Sequence, residues 1–277
     1  ECFVFESEGQ LASWMTPERV AKIAKQIPKI EADRVLYNKW VDMAVASEFL
    51  DALDVLMVVR PTVKPHLNPH AGFYYHISVD YGPYKDRTAI SVTHSDRDRN
   101  VVVDRLQLIP KRPGLDEVQI EDVEKEIDHL LTVYRPKTLS FDPFQMLSTI
   151  QKYERKGVNV VRVEPRGGVA AKAMANLLRS LVAEHRLWVP PECEASGVPG
   201  IEPFTAELKG LVTTYNRLGY RFENSKESHD DRAVVVVMGA DQALKSPPNE
   251  NPKAILTAPP VPPRAPLGNP LIGGFGR

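Results

Sequence analysis

The sequence predicts a mixed α/β protein, in which a three-strand antiparallel meander and added parallel strands form one sheet flanked by helices. Three β-rich runs, at 73–80, 88–94 and 100–109, follow one another with short turns between them, which is typical of a meander. From residue 117 onward, amphipathic helical patterns alternate with short apolar runs, which favours parallel strands in the same sheet.

The first 70 residues are predicted to form a helical linker segment. Thr16, Pro17 and Glu18 make a helix start, with a capping hydroxyl, a proline at the first helical position and an acid near the positive end of the dipole. A second helical stretch is expected over 32–59. Residues 60–72 hold three prolines and few apolar residues, so we expect an extended linker and a domain boundary near residue 70.

Residues 71–244 are predicted to form the main domain. Helices are expected at 117–134, 148–157, 168–186 and 203–212, strands at 137–142, 158–165 and 187–191, and a hairpin at 213–224. A closing helix is expected at 228–244, although four consecutive valines, 234–237, are poor helix formers and leave a strand as the alternative. Residues 245–277 hold nine of the 24 prolines and are predicted to be a disordered tail.

Composition limits the class of protein. The formal net charge of -1 gives no global positive excess, although a local basic groove can coexist with an acidic pocket. The two cysteines, Cys2 and Cys193, provide no disulfide framework and fit a reducing cytosol. No apolar run approaches the roughly 18 residues of a membrane span. The first residue is Glu, so we expect a fragment of a longer polypeptide.

Acidic residues stand where two strands end and where the closing helix begins. Asp80 ends the first strand, Asp142 ends the fourth, and Asp230 and Asp231 open the helix just after His229. If the first and fourth strands are neighbours, Asp80 and Asp142 project from the same end of the sheet. Crowded carboxylates repel one another unless a divalent cation lies between them, and hard cations such as Mg²⁺ and Mn²⁺ prefer oxygen ligands. These acids therefore predict a metal site.

Structural roles are the alternative for each acid taken alone. Acids are common in the turns that end strands. Ser228 and Asp231 also fit the S-x-x-D capping box, so Asp231 has an alternative role at the helix start. The order along the chain favours a single site, because three independent coincidences would otherwise be required.

That order resembles the RNase H-like nuclease superfamily, and the chain is similar to the nuclease half of tailed-phage terminase large subunits, which are DNA-packaging motor proteins. The motifs that carry the resemblance are "SVDYGPYKDRTAI", "LSFDPF" and "SHDDRAVVVVMGA". Upstream, "WMTPERVAKIAKQ" and "EADRVLYNKWV" are similar to the segment that links the ATPase and nuclease domains of that family. The resemblance covers about residues 10–244.

The resemblance implies an RNase H-like fold and an endonuclease that cleaves double-stranded DNA during phage genome packaging. Two Mg²⁺ or Mn²⁺ ions would activate a water and stabilise the departing 3′ oxygen. The implied ligands are Asp80, Asp142 and Asp231, with Asp230 beside them, Asp86 as an accessory acid and His229 as an alternative third ligand. The implied partners are the portal protein and the small terminase subunit, with no membrane, and the implied location is the cytoplasm of the infected bacterial host.

Five basic residues are candidates to bind DNA phosphates, with solvated surface charge as the alternative for each. They are Lys85, Arg87, Arg166, Lys172 and Arg179. No G-x-x-x-x-G-K-[ST] loop occurs in the sequence, so no ATP hydrolysis is expected of this chain, and a remnant of an ATPase half is one interpretation of residues 1–70. Two other functions stay open: a resolvase or integrase-type RNase H-like enzyme, and a non-catalytic module of the packaging complex.

Overall fold

The computed structural model describes residues 12–27, 29–39, 47–84, 87–144, 146–164, 168–195, 197–216, 219–224 and 229–249. The strands of these ranges are β1 (Ser47–Glu48), β2 (His76–Asp80), β3 (Thr88–Ser95), β4 (Val101–Ile109), β5 (Thr138–Phe141), β6 (Val160–Arg162), β7 (Leu187–Trp188), β8 (Leu211–Asn216) and β9 (Gly219–Asn224). The helices are α1 (Pro17–Gln26), α2 (Lys29–Val35), α3 (Ala52–Leu56), α4 (Ile120–Tyr134), α5 (Leu147–Arg155), α6 (Gly168–Ala183), α7 (Pro191–Glu194), α8 (Phe204–Lys209) and α9 (Asp231–Leu244).

The main sheet has six strands in the order β6-β5-β2-β3-β4-β7. Strands β2, β3 and β4 form an antiparallel meander, and β5 lies parallel to β2 on its other side. Strand β6 adds parallel to β5, and β7 adds parallel to β4. The mixed sheet predicted from the sequence is therefore confirmed, with a separate three-stranded sheet in the order β1-β8-β9.

The two faces of the main sheet carry different helices. On one face, Ile77, Val79, Ile90 and Val92 pack in a core that includes residues of α4 and α5. On the other face, α9 contacts β2, β3 and β4, and α6 packs against α9. The alternation of side chains along a strand sends Ser78 and Asp80 to the α9 face, opposite to Ile77 and Val79.

The face beneath α9 carries small hydroxyl side chains instead of large apolar ones. The Ser91 hydroxyl donates to the carbonyl oxygen of Val235 at 2.9 Å, and the Ser95 hydroxyl donates to that of Ala243 at 3.0 Å. These bonds hold both halves of the helix on the sheet. Gly239 allows the close approach, because a Cβ built there would lie 2.5 Å from the Thr93 hydroxyl oxygen.

Burial explains why the four-valine segment is a helix despite its composition. Residues 234–237 are at most 1% exposed, and nearly every residue of α9 is buried. A helix that is enclosed on all sides gains more from packing than it loses through the modest helix propensity of valine. The strand alternative for this segment is wrong, and Asp231 keeps its place at a helix start.

The N-terminal region departs from the predicted long helix at 32–59. Helix α2 ends at Val35, β1 pairs antiparallel with β8, and α3 is a separate short helix capped by Asp51, which accepts the amide N–H of Leu53 at 2.8 Å. The apolar residues of this stretch serve a core instead of a helix face, since Phe49 and Val55 are fully buried. Division of the chain near residue 70 remains a prediction.

The helix start predicted at Thr16 is confirmed, because the Thr16 hydroxyl accepts the amide N–H of Arg19 at 3.3 Å. Residues 250–277, which include most of the predicted disordered tail, lie outside the described residues. Within the described ranges, no helix combines the length and the apolar character needed to cross a membrane.

Gly239→Ala tests the close seating of α9. An alanine normally stabilises a helix by up to about 1 kcal/mol relative to glycine. Here the added methyl group overlaps Thr93, so we expect a loss of about 1–3 kcal/mol in the free energy of unfolding, measured by urea denaturation. Combining the change with Thr93→Ala should recover most of the loss, whereas additive effects of the two changes would contradict the assigned contact.

His76 predicts how stability depends on pH. Its side chain is fully buried, its Nδ1 lies 2.7 Å from the Thr138 hydroxyl, and burial, with smaller effects of Lys137 and His94, lowers its pKa to about 3. Below the unfolded pKa of about 6.5, the unfolded chain binds a proton that the folded chain excludes, so stability falls as pH falls. Between pH 7 and pH 5, the wild-type protein should therefore lose about 2 kcal/mol of unfolding free energy relative to His76→Asn. A pH-independent difference would show that His76 is not held neutral.

Candidate active site

Asp80 and Asp142 lie side by side at the ends of two parallel strands. In the β2–β5 pairing, Val79 is opposite Phe141, so the next residue of each strand is one of the two acids. Adjacent strands are about 4.8 Å apart, and alternation from Ser78 and Ser140 places both acids on the α9 side. Asp80 is 7% exposed. The Asp142 carboxylate accepts the amide N–H of Phe144 at 3.0 Å, which fixes the turn after β5.

Helix α9 brings Asp231 to the same end of the sheet. Asp231 is the first residue of the helix and is 3% exposed. Its Oδ2 accepts the amide N–H of Arg87, at the start of β3, at 3.3 Å, and lies 3.5 Å from the Nδ1 of His229. The acid is therefore attached to the sheet directly beside the end of β2.

Electrostatics links Asp231 to Asp80 and Asp230. The pKa of Asp231 is raised to about 8, first by burial and then by the negative charges of Asp80, Asp230 and Glu207. Such effects require short separations in a poorly solvated environment. A buried group of carboxylates that disfavours its own ionisation is the environment in which a divalent cation is strongly stabilised.

Asp230 stands at the N-cap position of α9 but its side chain makes no capping hydrogen bond. Asp231 follows at the first helical position, and Ser228 lies outside the described residues. The capping-box alternative required Asp231 three residues into the helix, so that interpretation is wrong. The acidic pair instead lies in a buried position, with Asp230 6% exposed.

A buried ion pair that the sequence analysis missed supports the start of α9. Arg232 and Glu207 are at most 1% exposed, and the Arg232 Nε donates to Glu207 at 2.7 Å. Glu207 also accepts the amide N–H of Ala233 at 2.9 Å, and an Arg232 guanidinium nitrogen donates to the Glu202 carbonyl at 2.8 Å. Burial raises the pKa of Glu207 and Arg232 opposes that shift. Helix α8 thus holds the helix start that carries Asp231.

The basic candidates divide into three groups. Arg87 forms an ion pair with Glu202 at 3.0 Å, and the ammonium group of Lys172 lies 5.3 Å from the centre of the Tyr220 ring. Arg179 is 8% exposed and its guanidinium lies 4.4 Å from the centre of the Phe49 ring, so its side chain is placed for packing and not for phosphate contact. Lys85, Asp86 and Arg166 lie outside the described residues.

The spacing of the acids bears on how they would hold ions. Among the described residues, one set of three or more His, Cys, Asp or Glu side chains lies close enough to share a single ion. Its members are His66, His94 and Asp104, whose donor atoms all lie within 4.8 Å of one another. Asp80, Asp142 and Asp231 do not meet this limit as a group of three.

Known proteins of similar structure are large terminases. The chain matches the large terminase of the thermophilic bacteriophage D6E in complex with ADP, with a TM-score of 0.60 and 13% identity, over 83% of this chain and 52% of that one. It matches the large terminase nuclease from thermophilic phage G20c with bound magnesium, with a TM-score of 0.52 and 15% identity, over 73% of this chain and 99% of that one. The fold is that of large terminase nucleases. It also matches the HK97 bacteriophage large terminase, with a TM-score of 0.53 and 16% identity, over 84% of this chain and 52% of that one.

These matches confirm the RNase H-like fold implied by the sequence motifs. The chain spans about half the length of the D6E and HK97 large terminases and nearly the full length of the G20c nuclease. No protein-family model and no curated protein matches the sequence. At this low identity the terminase nuclease fold is what the chain shares with these proteins.

Asp231→Asn should stabilise the protein in the absence of divalent cations. The substitution keeps the size of the side chain and removes a charge that burial and neighbouring acids disfavour. In EDTA at pH 8, we expect the unfolding free energy to rise by about 2 kcal/mol, with a higher Tm.

Asp241→Asn is the matched control at the other end of α9, where the acid pairs with the exposed Lys245. That change should alter stability by less than about 1 kcal/mol. A lower Tm for Asp231→Asn than for the control would show that the Asp231 charge is compensated in the folded protein.

Proposed function

We propose that this protein is a metal-dependent endonuclease that cleaves double-stranded DNA during phage genome packaging. The observation that supports it best is the adjacency of Asp80 and Asp142 on neighbouring parallel strands, with Asp231 delivered from α9, within the fold of large terminase nucleases. Carboxylates from neighbouring elements are what a metal-dependent phosphodiesterase site requires, and these acids lie at the same end of the sheet.

Asp80, Asp142 and Asp231 are the proposed ligands of two Mg²⁺ or Mn²⁺ ions. Their oxygen donors suit hard cations. The pKa of Asp231 is raised by burial and then by neighbouring negative charges, and a bound cation would offset both effects. The G20c nuclease, which has this fold, was crystallised with magnesium. Asp80, Asp142 and Asp231 would hold such ions, which would supply activation of an attacking water and stabilisation of the leaving 3′ oxygen. Asp230 completes the acidic group, and His229 remains a candidate ligand through its position beside Asp231.

The protein's own residues have positioning roles in this mechanism. The Arg87 amide orients the Asp231 carboxylate, and the Asp142–Phe144 bond orients the second carboxylate. The Arg232–Glu207 pair fixes the start of α9 and thereby the position of the Asp231 carboxylate. Placement of this kind matters because errors of about 1 Å cost large factors in rate.

Arg87 and Lys172 are the proposed contacts to DNA phosphates among the described candidates. Arg87 lies next to Asp231 in space and could exchange Glu202 for a phosphate, since both partners are partly exposed. Phosphate contacts position the duplex without reading its sequence, so we propose cleavage with little base readout.

The wider setting is also proposed from the fold. The D6E and HK97 matches are whole large terminases of about twice the matched length. We propose that this nuclease acts beside an ATPase half, with the portal protein and the small terminase subunit as partners, in the cytoplasm of the infected bacterium.

Nuclease activity should depend on the paired acids and on a divalent cation. We expect EDTA to abolish plasmid cleavage and Mn²⁺ or Mg²⁺ to restore it. Asp142→Asn and Asp231→Asn should each lower the cleavage rate by a factor of about 100 or more, because ion loss removes several kcal/mol of transition-state stabilisation. Asp128→Asn, an exposed acid of α4 paired with Lys156, is the control and should cleave like wild type.

Full cleavage by Asp142→Asn would rule out the proposed site. Full cleavage by Asp231→Asn alone would move the third ligand to Asp230 or His229. Titration calorimetry with Mn²⁺ tests whether the protein is instead a non-catalytic module. For such a module, Asp80→Ala should leave Mn²⁺ binding unchanged. Preferential cutting of four-way over linear DNA would favour a resolvase.

A further inference from the structure

A histidine cluster lies at the end of the sheet opposite to the acids. We define it as His66, His94 and Asp104, whose donor atoms all lie within 4.8 Å of one another. His94 and Asp104 come from β3 and β4 and are 2% and 1% exposed, while His66 comes from the proline-rich segment 60–72 and is partly exposed. The cluster therefore joins that segment to the sheet and remains open to solvent through His66.

Hydrogen bonds connect the three residues of the cluster to one another and to their surroundings. The His94 Nδ1 lies 2.6 Å from Asp104 Oδ2, and Asp104 Oδ1 accepts the amide N–H of His66 at 2.8 Å. Outside the cluster, the Tyr75 hydroxyl lies 2.8 Å from the His66 Nδ1 and accepts the amide N–H of His70 at 2.9 Å. Groups that orient ligand side chains in this way accompany the imidazole and carboxylate ligands of metal sites.

We propose that His66, His94 and Asp104 bind a transition-metal ion of the Zn²⁺ class, which fastens segment 60–72 to the sheet. Two imidazoles and one carboxylate are a common ligand set for zinc, with a water in the fourth position. Imidazole nitrogen favours Zn²⁺, Co²⁺ and Ni²⁺, whereas the carboxylate oxygens of Asp80, Asp142 and Asp231 favour Mg²⁺ and Mn²⁺.

Binding of the ion at His94 Nδ1 requires that nitrogen to give up the proton it shares with Asp104 Oδ2. In a neutral imidazole the proton moves to Nε2 of the same ring, and in an imidazolium it leaves to solvent. The two atoms then separate to accommodate ligand distances of about 2.0–2.2 Å each. The His66 ring is now stacked on that of His94, with centroids 4.4 Å apart and planes 11° apart. It must turn out of this stack, because a ligating nitrogen holds the ion in the plane of its own ring.

The proposed site is independent of the proposed catalytic one. Asp80 pairs with Ala89 on β3, and His94 lies five residues farther along the same strand. At about 3.3 Å per residue, the two sites are roughly 16 Å apart. Failure of one proposal therefore leaves the other intact.

Thermal melting with Zn²⁺ tests the site in the full chain carrying Asp80→Asn, Asp142→Asn and Asp231→Asn, which removes the three proposed carboxylate ligands of the catalytic site. Zn²⁺ at about 100 times its dissociation constant should raise the Tm by about 5–10 °C. His66→Ala should abolish the rise, and His70→Ala should retain it, because His70 stacks on His66 with centroids 3.8 Å apart but lies outside the cluster. Absence of the rise, or its persistence in His66→Ala, would overturn the proposal.

Co²⁺ provides a measurement that needs no further variant and so does not depend on whether His66→Ala folds. In the same background, one equivalent of Co²⁺ should produce the visible absorption bands of a four-coordinate ion, and Zn²⁺ should displace them. A spectrum identical to that of aqueous Co²⁺ would equally overturn the site.

Discussion

The close seating of α9 on the hydroxyl-bearing face of the sheet is the constraint on which the candidate site depends. Serine, threonine and glycine at this contact remove the bulk that normally separates a helix from a sheet. The Ser91 and Ser95 hydroxyls satisfy their own hydrogen-bonding needs on helix carbonyls, which makes a polar contact tolerable in a buried layer. Because the helix is held along its length, its first residue has little freedom to move away from the end of β2.

This seating has an electrostatic cost that the surrounding residues partly offset. Asp231 is buried beside other acids, which explains its raised pKa. The neighbouring cation, Arg232, is bonded to Glu207 and to the Glu202 carbonyl. Arg232 therefore neutralises Glu207, the carboxylate that anchors the helix, and not the acids around Asp231. A buried acidic group beside a neutralised anchoring carboxylate is an environment that a divalent cation would stabilise.

The meander, the mixed sheet and the acids at strand ends were predicted from the sequence because they follow from local pattern. Period-two runs gave the meander, and an acid at a strand end can be recognised by itself. The Arg232–Glu207 pair could not be predicted, because its members lie on different helices and nothing in "FTAELKG" indicates that its glutamate is buried. The helix expected at 32–59 was wrong because burial of Phe49 and pairing of β1 with β8 override local helix propensity. The buried position of Arg179 could not be predicted either. The sequence pattern of its helix does not show whether an arginine side chain packs on an aromatic ring or extends into solvent.

The pairing of β1 with β8 also defines where the folded unit can be divided. Ser47 and Glu48 cover one edge of the β8–β9 hairpin, and the bridge between Val59 and Val189 joins the following residues to the main sheet. A chain cut at residue 70 would lose this cover and leave the backbone groups of β8 exposed at an open edge, the feature through which sheets join other chains and aggregate. It would also remove Phe49 and Val55 from the core. The first 60 residues thus contain a strand that covers one edge of the β8–β9 hairpin.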